Sequence, residues 1–363
     1  LSVSGALAEL PVEVVLLTGS QGAAEREEAL RKVREGEAQV VIGTHALIQK
    51  GVEFDNLALV VVDEQHRFGV GQRTVFREKG ITPDTMVMTA TPIPRTLSLT
   101  LYGDLEVSVI DELPPGRKPV ETVLSGVEGR MDAYEAVRDE LKAGRQAYVI
   151  CPLVEESEAL EDVRSAEELQ EELSEEVFPE RRVGLLHGRM SASDKREAMA
   201  AFRDGEIEVL VATVVVEVGV DVPNASVIVI EGAERFGLSQ LHQLRGRVCR
   251  GLHPPKCFLV GEPRTDDSRE RLEALCEHQD GFKLSEEDLR IRGEGTLFGA
   301  RQSGMTDLKV ANLLRDIEVL VEARRAAFEL VAADPKLQRD DHLPLRREIR
   351  ELLGSDVEWL FRE

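Results

Sequence analysis

Leu59-Val60-Val61-Val62-Asp63-Glu64-Gln65-His66 is an unbroken apolar run that ends in two adjacent carboxylates. Continuous rather than alternating apolar residues mark a strand covered on both faces, as in a parallel sheet flanked by helices. In open α/β sheets, ligands bind beyond the carboxyl ends of the strands. Two acids at such an end can divide labour. Asp63 is a candidate to hold the Mg²⁺ of a nucleotide, and Glu64 to orient or deprotonate an attacking water. A strand running into an ordinary acidic turn has the same composition, so the stretch decides the fold class before it decides the chemistry.

Runs of the same kind recur on both sides. They include Val40 to Ile42, Met86 to Met88, Ala147 to Ile150, Val183 to Leu186, Val209 to Val211, Val227 to Ile230 and Phe258 to Val260. Helical patterns lie between them. One spans Glu25 to Glu35 and is closed by Gly36; another spans about Asp194 to Arg203, with Ser191 and Asp194 spaced as a capping box and Gly205 behind it. Alternating strands and helices predict α/β domains with parallel sheets. The Pro-rich segment Leu113 to Pro119 breaks the pattern and reads as a linker. The expected organisation is therefore a first α/β lobe over 1–112, a second over 113–262, and a mainly helical region over 263–363. In that last region, residues 285–304 are rich in Gly and Arg, a long helix is expected over Thr306 to Val331, and a shorter one over Pro344 to Leu353.

The net charge of −23 argues against a nucleic-acid partner at first sight. The charge is uneven, however. Residues 155–180 hold twelve acids and one arginine, net −11, and read as a solvated helix with a thin stripe of Leu160, Leu169 and Leu173. Elsewhere arginines sit beside glycines, and a local basic groove binds phosphates even on an acidic protein. The four cysteines, Cys151, Cys249, Cys257 and Cys276, form no C-x-x-C pair, which points to a reducing cytosol rather than zinc or disulfides. No run of eighteen apolar residues is present, and the opening at Leu1 has no signal-peptide pattern; the start reads as a cut inside a longer chain.

Further strand ends carry candidate chemistry. Met88-Thr89-Ala90-Thr91-Pro92 places hydroxyls where a phosphate or a neighbouring carboxylate would sit, and Gly43-Thr44-His45 offers a hydroxyl and an imidazole to a nucleic-acid backbone. Gln243, Arg247 and Arg250 are four and three apart, which puts them on one face of a helix, with Gly246 permitting close approach. Two arginines facing a cleft suit the γ-phosphate of a nucleotide. The turn Glu217-Val218-Gly219-Val220-Asp221 precedes them.

The order of these elements resembles the RecG branch of superfamily-two helicases over nearly the whole chain. The blocks that carry the likeness are DEQHRFGVGQR (63–73), similar to a Walker B box and its extension, TATPIPRTLSLTLYGDL (89–105), QAYVICPLVEESE (146–158), LLHGRM (185–190), VEVGVDVPNASVIVIEGAERFGLSQLHQLRGRVCRG (216–251) and DLRIRGEGTLFGARQSG (288–304). The transcription-repair translocase Mfd shares the motor blocks; His66 and the CPLVEESE block favour RecG. The resemblance implies two RecA-like lobes, ATP and Mg²⁺ as cofactors, and Asp63 and Glu64 as the acids of hydrolysis. It implies Arg247 and Arg250 as arginine fingers supported by Gln243, and Gly219 and Asp221 near the ribose. Thr44, His45, His66, Thr89, Thr91, Arg189 and Thr213 would lie near the DNA track or couple it to the nucleotide site. Arg290, Arg292 and Gln302 would couple lobe closure to translocation. The implied substrate is branched double-stranded DNA, at forks and Holliday junctions, with single-stranded-DNA-binding protein as a partner, a monomeric state and a place at the bacterial nucleoid.

The chain departs from that pattern in places. No G-x-x-x-x-G-K-[ST] phosphate loop occurs in it. In the family this loop and the wedge that splits branched DNA come earlier, so the expectation is negligible ATPase activity for these 363 residues alone. Cys249 stands where the family usually has Gly, Val214 where it has Thr, and Glu294 where Pro is common. Two alternatives stay open: an Mfd-like duplex translocase, and a non-catalytic module that binds DNA or a partner.

Overall fold

The computed structural model describes residues 5–7, 9–19, 21–48, 51–63, 83–89, 107–110, 112, 116–152, 159–213, 221–248, 251, 253–292 and 316–353. The chain divides into two units, Leu1–Thr91 and Pro92–Glu363.

The first unit contains strand β1 (Val14–Leu17), helix α1 (Ala23–Arg34) and strand β2 (Val40–Gly43), followed by strands β3 (Leu59–Val62) and β4 (Asp84–Val87). β1 pairs in parallel with β2, and β3 in parallel with β4. Val15, Leu17, Ala29, Val33 and Val52 form its small core. Among the described residues β3 and β4 are less covered than their composition predicts, with Leu59, Val61 and Met86 each about half exposed.

The second unit carries the main sheet. Its elements are β5 (Glu121–Leu124), α2 (Arg130–Lys142), β6 (Gln146–Ile150), α3 (Ala159–Glu172), β7 (Val183–Leu186), α4 (Ala192–Arg203), β8 (Val209–Ala212), β9 (Ala225–Glu231), α5 (Leu238–Arg245), β10 (Lys256–Val260), α6 (Asp266–Glu277), α7 (Gly281–Arg292), α8 (Ile317–Ala333) and α9 (Leu343–Leu353). The six strands lie in the order β5-β10-β9-β6-β8-β7, all parallel. Side chains alternate between faces along a strand, and both faces here are covered. Tyr148, Ile150, Leu210, Ile228, Ile230 and Leu259 pack with Phe202, Leu241 and Leu275 on one side. Ala147, Val149, Val211 and Val229 pack with Tyr134, Val137, Leu141 and Leu173 on the other. The result is a three-layer helix–sheet–helix unit. Each fully buried aliphatic or aromatic residue contributes about 1.5–3 kcal/mol; Tyr148 and Phe202 add an edge-to-face contact with ring centroids 4.8 Å apart.

Local signals explain most element ends. The Ser191 hydroxyl accepts from the Asp194 amide at 3.1 Å and starts α4. Gly36 and Gly205 close α1 and α4 at φ of 71° and 78°. Three expectations need correction. The acidic segment is not a purely solvated helix: α3 passes into a π-helical turn, Leu173–Val177, which turns Leu173 and Val177 into the core beside Ala166 and Leu169. The helix carrying Gln243 stops at Arg245, and Gly246–Val248 form a tighter 3₁₀ turn, so Gln243 and Arg247 are not on one α-helical face. The long C-terminal helix is described from Ile317 to Ala333; the earlier part of its expected span, 306–315, lies outside the described residues, as does the expected linker core at 113–115.

Candidate functional site

Parallel pairing brings every strand's carboxyl end to the same edge of its sheet. In the first unit Asp63 follows β3 directly and is exposed. The ladder runs on to a 2.7 Å bond from the Met88 amide to the Val62 carbonyl, so Asp63 and the exposed Thr89 leave the sheet at one end. β2 ends in Gly43, where a Cβ would collide with the Leu17 carbonyl oxygen and the Leu47 side chain. Only glycine lets the chain turn there, and the exposed Thr44 opens the 3₁₀ turn His45–Ile48.

In the second unit all six strands end at one edge. Beyond β7, His187 and Met190 close a tight turn, and the Lys195 ammonium donates to the Gly188 carbonyl at 2.7 Å. This turn holds Arg189 out in solvent. At the end of β8 the Thr213 amide donates to the Leu186 carbonyl at 3.1 Å. The Thr213 residue is 1% exposed, yet among the described residues its hydroxyl has no hydrogen-bond partner, and neither has the buried Nδ1 of His187 next to it. Buried polar atoms without partners cost about 1–3 kcal/mol each and call for an explanation. Cys151 follows β6, and burial, reinforced by the Glu231 charge, pushes its thiol up to about 12.

Glu231 ends β9 and anchors a network. It accepts from Arg130 at 2.9 Å and from the Tyr134 hydroxyl at 2.5 Å, while Arg130 also forks onto Glu172 at 2.9 and 3.1 Å. Burial works against the Arg130 charge, but the pairs to Glu172 and Glu231 outweigh it and hold its pKa above the usual arginine value. The Tyr134 hydroxyl is pushed well above the usual tyrosine range by burial and the Glu231 charge.

On α5, Gln243 is half-buried. Arg245 is buried and donates to the carbonyls of Leu275, His278 and Gln279 at 2.6, 2.9 and 3.3 Å, capping the end of α6. Arg247 is 9% exposed on the following 3₁₀ turn. His242 is pushed down to about 4, by burial first and by Arg245 second, so it is neutral at pH 7. Asp221, before β9, is exposed. At the end of α7 the exposed Arg290 pairs with Glu287 at 2.8 Å and Glu270 at 2.7 Å, and the exposed Arg292 with Asp288 at 3.1 Å. A Cβ added at Gly237, at the head of α5, would meet the Arg292 guanidinium at 3.1 Å, so α7 ends against the start of α5.

Arg189 and Thr213 thus share one edge of the second sheet, and Asp63 and Thr89 one end of the β3–β4 pair. Glu64, His66, Thr91, Gly219, Arg250, Gln302 and the His45 side chain lie outside the described residues. His187 and the Arg130–Glu231–Glu172 network were not singled out by the sequence, since no local pattern links residues about a hundred positions apart. Among the described residues no group of three His, Cys, Asp or Glu could hold a metal ion, and no helix is long and apolar enough to cross a membrane.

Three family descriptions match: a DEAD/DEAH box helicase over residues 4–100, a helicase conserved C-terminal domain over 132–251, and domain 3, C-terminal, of the ATP-dependent DNA helicase RecG over 278–361. The RecG helicase of Synechocystis sp. is 51% identical over 350 residues, covering 96% of this chain and 42% of that protein. The RecG helicase of Bacillus subtilis is 49% identical over 340 residues, covering 93% of this chain and 49% of that protein. A solved structure of RecG bound to a three-way DNA junction superposes with a TM-score of 0.67 at 46% identity, covering 87% of this chain and 41% of that one. The helicase MrfA, bound to DNA, shares the fold at 19% identity and a TM-score of 0.55, covering 77% of this chain and 42% of that one. The chain spans about half the length of the curated relatives it matches.

Proposed function

The chain belongs to the RecG family, as a C-terminal portion of it, and on that premise we propose that it is the motor part of an ATP-dependent DNA helicase acting on branched DNA. The observation that carries this reading is the 46% identical RecG structure, whose own ligand is a three-way junction, matched over 87% of this chain.

The roles proposed for individual residues follow the strand ends. Asp63 and Glu64 supply the acid side of nucleotide hydrolysis: Asp63, exposed beyond β3, is the kind of hard oxygen donor that Mg²⁺ takes, and Glu64 orients the attacking water. The cation would neutralise phosphate charge when bound with the nucleotide. Arg247 and Arg250 stabilise the charge that develops on the transferred phosphoryl group, Gln243 supports them, and Gly219 and Asp221 meet the ribose. Residues 1–112 and 113–262 act as two RecA-like lobes, and 263–363 as the region that converts closure into movement. Thr44, His45, His66, Thr89, Thr91, Arg189 and Thr213 follow the DNA backbone. Arg290 is held by exposed ion pairs, which are worth about 0–1 kcal/mol and exchange partners easily, and Arg292 by a pair to the more buried Asp288. That suits coupling residues, with Gln302, that re-pair during a cycle. Single-stranded-DNA-binding protein as a partner, a monomeric state and nucleoid association complete the proposal.

Fluorescence anisotropy of the purified chain on labelled duplex and junction DNA tests it. Binding that weakens steeply with salt, and weakens further in Arg189→Gln, is expected. In a protein of the relatives' full length, Glu64→Gln should abolish DNA-stimulated ATP turnover while leaving junction binding in place. Salt-independent binding, or turnover that survives Glu64→Gln, would overturn the reading.

A further inference from the structure

The carboxyl edge of the second sheet extends past the residues given roles above. Strand order carries it from β7 through β8, β6 and β9 to β10. Neighbouring strands lie about 4.8 Å apart, so the four steps from β7 to β10 cover about 19 Å. At the far end an open depression of about 500 Å³ lies between Pro152 beyond β6, Gly232 beyond β9, and the loop from β10 into α6. Three guanidinium groups line it, those of Arg235, Arg264 and Arg271. Glu234 is the one carboxylate in its lining, which leaves the depression at +2. Asp266 and Asp267, in the first turn of α6, are not part of the lining.

The cations differ in what holds them. The Arg271 guanidinium donates to the Glu234 carbonyl at 3.5 Å. Among the described residues the guanidinium groups of Arg235 and Arg264 have neither an ion pair nor a hydrogen-bond partner; Arg235 bonds only through its main-chain N–H, to the Gly232 carbonyl at 3.0 Å. Some other arginines of this acidic surface are neutralised by several carboxylates: Arg31 by three glutamates, Arg130 by two, Arg290 by two. Two arginines left unneutralised in one concavity, in a chain of net charge −23, are a place made for an external anion.

We propose that this depression binds a phosphodiester of the DNA strand that runs past Arg189 and Thr213, extending the DNA track across the sheet to Arg235 and Arg264. The proposal rests on the DNA-binding reading given above. Duplex DNA carries one charge per about 1.7 Å of axis, so a 19 Å edge lies beside several phosphates, and a second basic point at its far end fixes the direction of the strand as well as its position.

The test is anisotropy of the purified chain with a labelled duplex over a salt series, comparing wild type, Arg235→Gln/Arg264→Gln, Arg235→Lys/Arg264→Lys and Arg189→Gln. Lys142→Gln/Arg203→Gln is the charge-matched control, at exposed helix ends on the opposite edge of the sheet. Arg271 is left intact because it bonds to the backbone. Unchanged circular dichroism and urea midpoint verify folding. Loss of one phosphate contact should weaken binding about tenfold and reduce the slope of log K against log salt by about 1 in the Gln pair. The Lys pair should keep most of the affinity, and the control should bind as wild type. If the Gln pair binds as wild type while Arg189→Gln is weakened, the depression is not on the track and only this inference falls. A loss of affinity for a fluorescent ATP analogue with DNA binding intact would likewise overturn it, by making the site a nucleotide pocket. If wild type fails to bind DNA even at low salt, the underlying reading falls and this one with it.

Discussion

Thr213→Val separates a residue kept for function from one kept for stability. The Thr213 side chain is 1% exposed, and its hydroxyl meets no partner among the described residues. Valine has nearly the same shape, so the substitution removes an unsatisfied polar atom without opening a cavity. Relief of the orphaned hydroxyl is worth about 1–3 kcal/mol, less any misfit of the new methyl, so a net stabilisation of about 1.5 kcal/mol is expected. With a urea dependence of about 3 kcal/mol per molar, the unfolding midpoint should rise by about 0.5 M. The same change deletes a hydroxyl that would donate to a phosphate, a charged acceptor, for which about 1.5 kcal/mol or roughly tenfold weaker DNA binding is expected. Urea unfolding followed by circular dichroism, and anisotropy on labelled duplex, give the two numbers. A variant less stable than wild type would show that the hydroxyl is satisfied in the folded protein. A more stable variant with unchanged DNA affinity would show that Thr213 does not touch DNA.

Three further outcomes follow from the same edge and the core behind it. Arg245→Met leaves the carbonyls of Leu275, His278 and Gln279 without their donor and should cost about 3–5 kcal/mol in urea unfolding; a loss below about 1 kcal/mol would mean that water replaces the guanidinium freely. His242 is pushed down to about 4 in the folded protein from the ordinary histidine value of 6.5, so the unfolded chain takes up its proton first as pH falls and stability is lost below about 6.5. Between pH 7 and pH 5 that amounts to about 2 kcal/mol, and the part due to this residue should vanish in His242→Gln. Cys151, buried and pushed up to about 12, should resist iodoacetamide at pH 8 in the native protein and react once it is unfolded, as peptide mass spectrometry would show.

Much of the fold was legible because burial on both faces writes itself as unbroken apolar runs. β6, β8 and β9 are buried along nearly their whole length, and their runs were read within one or two residues. β5 was not singled out: Glu121–Leu124 forms a sheet edge, is only partly covered and mixes polar with apolar residues. The site was legible at strand ends, where a change from apolar to polar is a local event, as at Asp63 and Thr213. Depth was not legible. Arg245 and Arg247 read alike in sequence, yet Arg245 is committed to the carbonyls that end α6. The cluster of Arg235, Arg264 and Arg271 was invisible for a different reason, since the order β10-β9-β6 brings together segments far apart along the chain.

The sheet's exposed flank at β5 carries its own safeguard. Just before that strand, the Gln279 side-chain amide accepts from the Val120 N–H at 3.2 Å and donates to the Val120 carbonyl at 2.9 Å. The amide mimics a peptide unit of a seventh strand and occupies both main-chain groups that a stray extended chain would seize first. An open strand border is a template for intermolecular pairing and aggregation. One side chain from the α6–α7 connection therefore caps the growth of the sheet, and its loss would be felt in solubility at high concentration before it was felt in the stability of the core.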